Sequence, residues 1–337
     1  MRVMITGGTG FVGYHTARAL MDAGHDVCLL VRSEDKAKKL YGDATPECVT
    51  GDIVDATSVA QAMHGCDAAI HSAAMVSTAA KDADRVYDTN VNGTRLVFET
   101  ALQKGVKQMV HVSSVTALFN PRASVLDGNS PPGNARNAYG RSKVACEKYV
   151  RSLQSRGKAI TITYPASVIG PEDPGLTEPH QGLQVFLTQF TPAMPSGNQF
   201  VDVRDVAEAH LRILQRRLGG ARYPLGGHYL PWRDLGPMLQ DLTGRELRSF
   251  PATGRVMRGL GLVVDLVKRV KPMELPMGYE AMVYATKWVQ MDNSQAEQDL
   301  DFSFRPLEDS LVDAIQWMVR AGHLKAEDVG RLAPSVS

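Results

Sequence analysis

The sequence predicts an α/β fold: a doubly wound parallel sheet with a smaller C-terminal α/β region. Two observations lead to this prediction. Across residues 1–165, short β-branched runs alternate with longer helical patterns, and a glycine-rich turn follows the first of these runs. Sheets of this kind are covered by helices on both faces and bind ligands at the carboxyl ends of their strands.

The elements are expected in a regular order along the chain. Strands are predicted at 3–6, 27–31, 48–50, 68–71, 108–112 and 160–164, and helices at 12–23, 35–40, 58–63, 84–103 and 138–154. Two loops rich in Pro, Gly and Asn, 119–137 and 170–182, interrupt the pattern where lids or specificity segments are common. Further helices are predicted at 207–217 and 231–242.

The composition of the chain limits the kinds of partner that it is expected to bind. The chain of 337 residues carries 37 Lys or Arg and 36 Asp or Glu, a formal net charge of +1. This balance argues against nucleic acid and favours a small-molecule partner. The N-terminus passes straight into structured sequence without a signal peptide, and no stretch approaches the ~18 to 20 apolar residues of a transmembrane segment. We therefore expect a cytoplasmic protein.

Cysteine usage gives no sign of a metal site. The cysteines are scattered, with no CxxC pair and no histidine cluster at ligand spacing. They are Cys28, Cys48, Cys66 and Cys146. We expect reduced thiols, with neither a zinc site nor a disulfide framework.

The segment 255–271 is predicted to form an amphipathic helix. Its apolar face comprises Val256, Leu260, Val263, Val264, Val267 and Val270, and Arg258, Lys268, Arg269 and Lys271 lie elsewhere around the helix. A helix that covers a substrate pocket or packs on the small domain is the more common role of such a segment. Peripheral membrane contact is the less common one.

The glycine-rich turn indicates a dinucleotide site. Residues 6–13 read TGGTGFVG, between the first strand and the first helix, and place glycines at the spacing that lets a backbone approach a pyrophosphate. The amides and dipole of the helix N-terminus stabilise that charge. The loop residues expected to contact the cofactor are Gly7, Thr9, Gly10, Phe11, Val12 and Gly13.

The end of the second strand bears on the choice of cofactor. NAD-preferring sites usually place an acidic residue there, but this strand runs into Arg32 and Ser33, with Lys36 nearby. An Arg at this place can pair with a 2′-phosphate through charge-assisted hydrogen bonds. We predict NADP(H) as the preferred cofactor, with NAD(H) as the alternative. Arg32 could instead be a solvated charge at a strand end.

The next two strand ends are expected to complete this Rossmann-type site. Asp52 offers a carboxylate for the adenine amino group and Ile53 an apolar side chain for the ring. Small residues suited to the crossing of the cofactor follow the fourth strand: Ser72, Ala73 and Ala74. We predict an NADP-binding Rossmann domain at 1–168, with return elements near 198–230, and a mainly substrate-binding region at 169–330.

Tyr139 and Lys143 are predicted to form a proton-transfer pair. On a helix, positions four apart share one face, and a cation near a phenol favours the phenolate. A Tyr and a Lys at this spacing are common on helices, so the prediction depends on the surrounding motifs.

Seven motifs occur together in an order that resembles the extended short-chain dehydrogenases/reductases of the NAD-dependent epimerase/dehydratase group. They lie at 6–13, 52–53, 72–74, 90–94, 113–114, 139–143 and 165–171. The resemblance implies that Ser114 hydrogen-bonds the substrate oxygen, Tyr139 exchanges the proton, and Lys143 holds the nicotinamide ribose and lowers the Tyr pKa. It also implies that Asn90 supports a water or the neighbouring backbone. Ser113 is the competing serine, but the family register favours Ser114.

Departures from the family pattern bear on the reaction. Sugar dehydratases of this family carry an Asp-Glu pair where residues 115–116 are Val-Thr, and epimerases often carry an Arg where residues 198–201 have none. Arg32 and Ser33 instead look like the dihydroflavonol reductase and cinnamoyl-CoA reductase branch. The nicotinamide-side contacts implied by the resemblance fall on Tyr164, Pro165, Ala166 and Val168, although Tyr164 stands where the family has an Arg.

The resulting hypothesis is an NADP(H)-dependent oxidoreductase that reduces a carbonyl, or oxidises the alcohol, of a hydrophobic small molecule. An epimerase or dehydratase-type enzyme with tightly bound cofactor is the alternative, and a non-catalytic NADP-binding scaffold is a third hypothesis. Apolar residues that could line the substrate pocket are Met75, Val76, Val115, Phe119, Phe186 and Phe190. The resemblance also implies a homodimer formed through the helices at 84–103 and 138–154.

Overall fold

The computed structural model describes residues 1–77, 80–270 and 278–333. The strands of these residues, in chain order, are β1 (Arg2–Thr6), β2 (Asp26–Val31), β3 (Glu47–Thr50), β4 (Ala68–His71), β5 (Gln108–Val112), β6 (Ile160–Pro165), β7 (Ser167–Ile169), β8 (Thr191–Ala193), β9 (Gly197–Asp202), β10 (Arg222–Leu225), β11 (His228–Pro231) and β12 (Ser249–Pro251).

The α-helices of the same residues are α1 (Phe11–Asp22), α2 (Glu34–Tyr41), α3 (Ala56–Ala62), α4 (Ala83–Gln103), α5 (Ala138–Gln154), α6 (Glu178–Thr188), α7 (Val203–Arg216), α8 (Trp232–Thr243), α9 (Gly254–Val270), α10 (Tyr279–Thr286), α11 (Ser294–Leu300), α12 (Leu307–Arg320) and α13 (Ala326–Val329). A short 3₁₀ turn, Val115–Ala117, follows β5.

Seven of the strands form one parallel sheet in the order β10-β6-β5-β4-β1-β2-β3. This confirms the predicted doubly wound α/β fold. The chain leaves β1 toward β2 on one side and returns to β4 on the other, which opens a crevice at the carboxyl ends of β1 and β4. The predicted ligand loops after these strands therefore meet at one edge of the sheet.

The strands and helices predicted before residue 165 agree with the structure to within two residues, because their patterns are those of buried strands and one-sided helices. Helix α7 begins at Val203, four residues earlier than predicted, since the carboxylate of Asp202 caps it by accepting a hydrogen bond from the Arg204 amide at 2.8 Å.

The predicted loop 170–182 is wrong at its C-terminal end. Helix α6 already begins at Glu178, and Pro179 occupies its first turn. Proline is tolerated there because the amide it lacks has no partner inside the helix, so this proline marks the start of a helix and not a loop.

The C-terminal region adds two small sheets, β11-β9-β7 and β12-β8, and a layer of helices. Strand β10, from the predicted return segment 198–230, pairs with β6 in the large sheet. The division of the chain at residue 168 stays a prediction. Among the described residues, no helix is long and apolar enough to cross a membrane.

Helix α9 packs against α10 in the C-terminal region, but most of its predicted apolar positions do not face this contact. The predicted apolar positions Val256, Leu260, Val263 and Val267 are 40 to 57% exposed. Val264 is partly buried, on the side where α9 packs against α10. The side chains of Lys268, Arg269 and Val270, and the whole of Lys271, lie outside the described part of the chain.

Candidate active site

The turn after β1 is built so closely that only glycine fits at two positions. Gly7 has φ +77°, and a Cβ there would lie 2.7 Å from the amide nitrogen of Ala73. A Cβ at Gly13 would lie 2.6 Å from the carbonyl carbon of Gly7. The amide of Gly10 closes the turn by donating to the Gly7 carbonyl at 2.9 Å. The loop therefore brings its backbone to the crevice with no side chain in between.

The N-terminus of α1 points its amides into the same crevice. Gly10, at the N-cap, gives no side-chain hydrogen bond, and the first turn, which includes Phe11 and Val12, carries no acidic residue. These amides and the helix dipole favour an anion. The residues present therefore fit the pyrophosphate of a dinucleotide, and Thr9, between the glycines, lies within this loop.

Arg32 and Lys36 lie exposed at the carboxyl end of β2 and the start of α2. Ser33 caps α2, with its hydroxyl accepting a hydrogen bond from the Lys36 amide at 3.2 Å. Within the described residues, the Arg32 guanidinium has no ion pair or hydrogen bond. The structure thus gives Ser33 a role in the helix start and leaves the Arg32 charge available for a ligand.

The ends of β3 and β4 reach the same edge. Asp52 is partly exposed and accepts a hydrogen bond from the Val54 amide at 3.3 Å. Ile53 is buried, and it packs so closely on α4 that a Cβ at Gly93 would lie 2.5 Å from its Cδ1 atom. This packing accounts for the Ile53 side chain whether or not an adenine ring contacts it. The predicted crossing residues Ser72, Ala73 and Ala74 are partly exposed beside the glycine loop.

His71 has a structural role at the end of β4. Its ring nitrogens hydrogen-bond with the hydroxyls of Thr6 at 2.8 Å and Thr94 at 3.0 Å. Burial lowers the pKa of His71 to about 3, with a smaller effect from the nearby Lys143 charge. The neutral ring therefore joins β1, β4 and α4 behind the glycine loop.

Ser114, Tyr139 and Lys143 meet at the carboxyl end of β5. Ser114 lies close enough to Tyr139 for its hydroxyl to lower the pKa of the phenol. Helix α5 begins one residue before Tyr139, because the Asn137 side chain caps it by accepting a hydrogen bond from the Gly140 amide at 2.7 Å. Lys143 is buried, and its ammonium donates to the Val112 carbonyl at 3.0 Å. The three predicted side chains are thus brought to one place by β5 and α5.

Asn90 links the segment after β4 to α5. It is buried, and its amide group accepts a hydrogen bond from the Met75 amide at 2.7 Å and donates to the Met75 carbonyl at 3.1 Å. It also donates to the Ser142 hydroxyl on α5 at 2.9 Å. Of the two roles that the resemblance implies, the contacts match support of the neighbouring backbone.

Lys143 is expected to lower the Tyr139 pKa, but the groups of the protein itself raise this pKa. Burial raises the pKa of Tyr139 to about 12, the nearby Ser114 hydroxyl lowers it, and the negative charge of Glu178 raises it. Burial also lowers the pKa of Lys143. The Lys143 ammonium is directed to the Val112 carbonyl, and desolvation of the phenol is therefore the dominant effect.

Tyr164 does not reach the candidate site with its side chain. The residue is fully buried, and its hydroxyl donates to Glu147 at 2.6 Å and accepts a hydrogen bond from Arg151 at 3.1 Å. Ser113 donates to the same carboxylate at 2.9 Å. This phenol belongs to a buried network between β6 and α5, and contact of Tyr164 with the cofactor stays a prediction.

The same network explains why Ser114, and not Ser113, faces Tyr139. Alternation along an extended segment sends consecutive side chains to opposite faces, and Ser113 points to the buried Glu147. Beyond β6, Pro165 is buried while Ala166 and Val168 are partly exposed, and Val168 packs against the core.

Sequence reasoning missed an aromatic wall next to Tyr139. Tyr284, on α10, stacks on Phe119 with ring centroids 4.0 Å apart, and Trp288 lies 6.3 Å from Phe119. Burial raises the pKa of Tyr284, and the nearby Glu280 and Tyr139 raise it further. Of the predicted pocket residues, Phe119 thus reaches the site.

Two other predicted pocket residues contact rings outside the aromatic wall. Phe190 is exposed and contacts Phe250, with ring centroids 5.8 Å apart. Phe186 packs edge-on against Trp232 at 5.9 Å. No periodic pattern in the sequence near residue 284 predicts the aromatic wall.

Two acidic residues near the site were also missed. Glu280 accepts hydrogen bonds from the amides of Arg136 at 2.9 Å and Asn137 at 2.6 Å, and so holds the start of α5. Glu178, the first residue of α6, lies close enough to raise the Tyr139 pKa. Both lie far along the chain from Tyr139 and reach it only through the tertiary fold.

Comparison with known proteins gives matches over most of the chain. A family described as "NAD dependent epimerase/dehydratase family" matches residues 3–226. "Sterol demethylase protein B" of Methylococcus capsulatus is 29% identical over 328 residues, which cover 96% of this chain and 99% of that protein. "Cinnamoyl-CoA reductase 1" of Oryza sativa subsp. japonica is 28% identical over 340 residues, covering 96% of this chain and 91% of that protein.

A solved structure is similar along nearly the whole chain. The crystal structure of gox2253 matches with a TM-score of 0.81 and 27% sequence identity, covering 96% of this chain and 99% of that chain. The similarity therefore extends beyond the large sheet into the C-terminal region.

Proposed function

Because the chain belongs to the NAD dependent epimerase/dehydratase family of extended short-chain dehydrogenases/reductases, we propose that it is an NADP(H)-dependent oxidoreductase. It reduces a carbonyl, or oxidises the alcohol, of a hydrophobic small molecule. The observation that carries this proposal is the meeting of Ser114, Tyr139 and Lys143 beside a glycine loop that fits a pyrophosphate. The experiment that tests it is consumption of reduced cofactor with a panel of apolar carbonyl compounds.

The proposed chemistry assigns each side chain a separate task. Ser114 donates a hydrogen bond to the substrate oxygen, and Tyr139 gives its proton to that oxygen as the carbonyl becomes an alcohol. When bound, the nicotinamide supplies the hydride. Lys143 holds the ribose and Asn90 keeps the catalytic helix against the segment after β4. A Tyr139 pKa of about 12 keeps the phenol protonated at neutral pH, which suits a proton donor in the reductive direction.

The aromatic wall supports a hydrophobic substrate. Phe119, Tyr284 and Trp288 place apolar surface beside Tyr139. In the segment 198–201, where nucleotide-sugar epimerases often carry an Arg, Gln199 is buried and accepts hydrogen bonds from the Met291 amide at 2.6 Å and the Trp288 indole at 3.3 Å. This side chain is engaged inside the protein, which argues against a diphosphate-bearing substrate at that place.

Replacing Arg32 with Gln is expected to weaken NADPH binding by about 10- to 100-fold, since one charge-assisted hydrogen bond is worth about 1.5–3 kcal/mol. NADH affinity should change little, because NADH has no 2′-phosphate. Fluorescence titration of each cofactor measures both values. Arg233→Gln is a matched control, since the Arg233 side chain is 79% exposed on α8 and the charge change is the same. Wild-type protein that binds NADH more tightly than NADPH would refute the NADP preference.

Glu178→Gln is expected to shift the pH profile of alcohol oxidation to lower pH. Oxidation needs the Tyr139 phenolate, and the Glu178 carboxylate disfavours that phenolate by raising the Tyr139 pKa. Removing the negative charge lowers this pKa, so the activity rises at a lower pH. The profile of kcat/KM against pH measures the shift, and Glu327→Gln, at an exposed side chain on α13, is the control. An unshifted profile would show that Glu178 does not act on the phenol.

We also propose the homodimer that the resemblance implies, formed through α4 and α5. These helices pack side by side on the large sheet, and the exposed Tyr87 of α4 offers apolar surface for a second copy. Asn90 lies on α4 and Tyr139 on α5, so dimerisation would stabilise the two helices that carry these side chains.

A further inference from the structure

The outer face of α9 is an exposed apolar surface. Six large apolar side chains of this helix are between 40 and 62% exposed. They are Val256, Leu260, Leu262, Val263, Leu266 and Val267. Phe250, on the strand that precedes the helix, is 53% exposed. Contiguous surface of this kind in a water-exposed protein marks a place where a partner binds.

Helix α9 packs on the rest of the described protein with its opposite side, and not with this apolar surface. The opposite side of α9 lies so close to α10 that a Cβ at Gly261 would be 2.8 Å from the Cα of Tyr279. Arg258 donates to the Thr286 hydroxyl at 2.7 Å, and Asp265 accepts from the Tyr279 amide at 2.9 Å. These contacts hold α9 with its inner side against α10. Among the residues that the structure describes, no apolar layer covers the six outer side chains, which stay 40 to 62% exposed.

The charge of the helix indicates which partner fits. By sequence, α9 contains four Lys or Arg residues and one Asp, whereas the whole chain has a net charge of +1. The Asp265 carboxylate is directed to α10, and Arg255 is exposed. A helix with an apolar outer face and an excess of positive charge complements a surface that is apolar beneath an anionic layer. Two copies of this face would instead bring like charges together.

We propose that the outer face of α9 docks on the surface of an anionic lipid bilayer. The six apolar side chains enter the boundary between headgroups and acyl chains, and the exposed Arg255 and the net positive charge of the helix face the anionic headgroups. The protein lies on the membrane and does not cross it.

The docked helix would also bring the candidate active site to the lipid surface. Helix α10 packs against α9. It carries Tyr284, which lies near Tyr139, and Glu280, which binds the amides at the start of α5. Resting on the proposed function, this arrangement would let the enzyme take an apolar substrate directly from lipid. Binding to lipid itself needs neither cofactor nor substrate, so it can be tested separately.

The test is sedimentation of the full chain with phosphatidylglycerol vesicles and with phosphatidylcholine vesicles, without cofactor or substrate. Wild-type protein should bind the anionic vesicles more tightly, and added salt should weaken that binding. Leu262→Asp/Leu266→Asp should lower the affinity by about tenfold or more, since it removes apolar area and adds negative charge at the lipid surface. Val54→Asp/Val125→Asp is the matched control, because it adds the same charge at two apolar side chains that are 48% and 45% exposed.

Circular dichroism and NADPH titration show whether each variant is folded, so a loss of vesicle binding is not mistaken for unfolding. Equal vesicle binding by wild type and the α9 variant would overturn the proposal, and so would no wild-type binding to anionic vesicles. A wild-type dimer that the α9 variant dissociates, with no vesicle binding, would assign the face to a second copy and also overturn it. None of these results depends on turnover, so they do not bear on the proposed oxidoreductase.

Discussion

Tyr139→Phe is expected to reduce turnover by about 10²- to 10⁴-fold, the contribution typical of a positioned general acid. Phenylalanine keeps the aromatic ring but removes the hydroxyl that lies near Ser114 and, as proposed, gives the proton. NADPH affinity should stay nearly unchanged, because the glycine loop and α1 are not altered. Steady-state kinetics and cofactor titration on the same variant measure the two effects separately.

Tyr149→Phe is the matched control for this experiment. Tyr149 lies on the same helix, and its hydroxyl donates to Glu99 at 3.2 Å, away from Ser114. Its loss should leave turnover close to wild type. If Tyr139→Phe instead retained wild-type turnover, Tyr139 would not be the proton donor.

Gly13→Ala is expected to weaken NADPH binding by about 10- to 100-fold, since overpacking of a tight site costs about 1–3 kcal/mol. The added methyl group would meet the backbone of Gly7, which has no flexible side chain to move aside. The loop would have to shift, and with it the amides that face the pyrophosphate. Fluorescence titration measures the affinity, and thermal unfolding measures the cost to the fold.

Gly259→Ala separates this clash from the general effect of alanine in a helix. Gly259 lies inside α9, and a Cβ there would meet no atom of the described residues within 4 Å. Its replacement should stabilise the fold by up to about 1 kcal/mol and leave cofactor affinity unchanged. Wild-type NADPH affinity in Gly13→Ala would contradict the assignment of the phosphate loop.

The sequence predicts the large sheet well because local patterns specify its parts. Buried β-branched runs give the strands from Arg2 to Pro165, and the glycine turn fixes where β1 ends and α1 begins. The C-terminal region is less predictable. Helix α6 begins with a proline in its first turn, and α10 has no strong apolar periodicity to mark it. Their positions depend on tertiary contacts that a linear pattern does not carry.

The residues of the candidate site also differ in whether the sequence could predict them. Ser114, Tyr139 and Lys143 could be predicted because they belong to short motifs on adjacent elements. Tyr284 and Glu178 could not, since each comes from a distant segment and acts only by lying near Tyr139. The sign of the Tyr139 pKa shift also needed the structure, because burial and the path of the Lys143 side chain decide it.

The most direct measurement of the central claim is the stoichiometry between reduced cofactor consumed and alcohol formed, with wild-type protein, NADPH and a panel of apolar carbonyl compounds. Absorbance of the reduced nicotinamide gives the first quantity and chromatography of the product the second. We predict that at least one compound is reduced with one NADPH consumed per alcohol formed, and that Tyr139→Phe abolishes both together. Conversion of a substrate with no net consumption of NADPH would contradict the account and favour an epimerase that retains its cofactor.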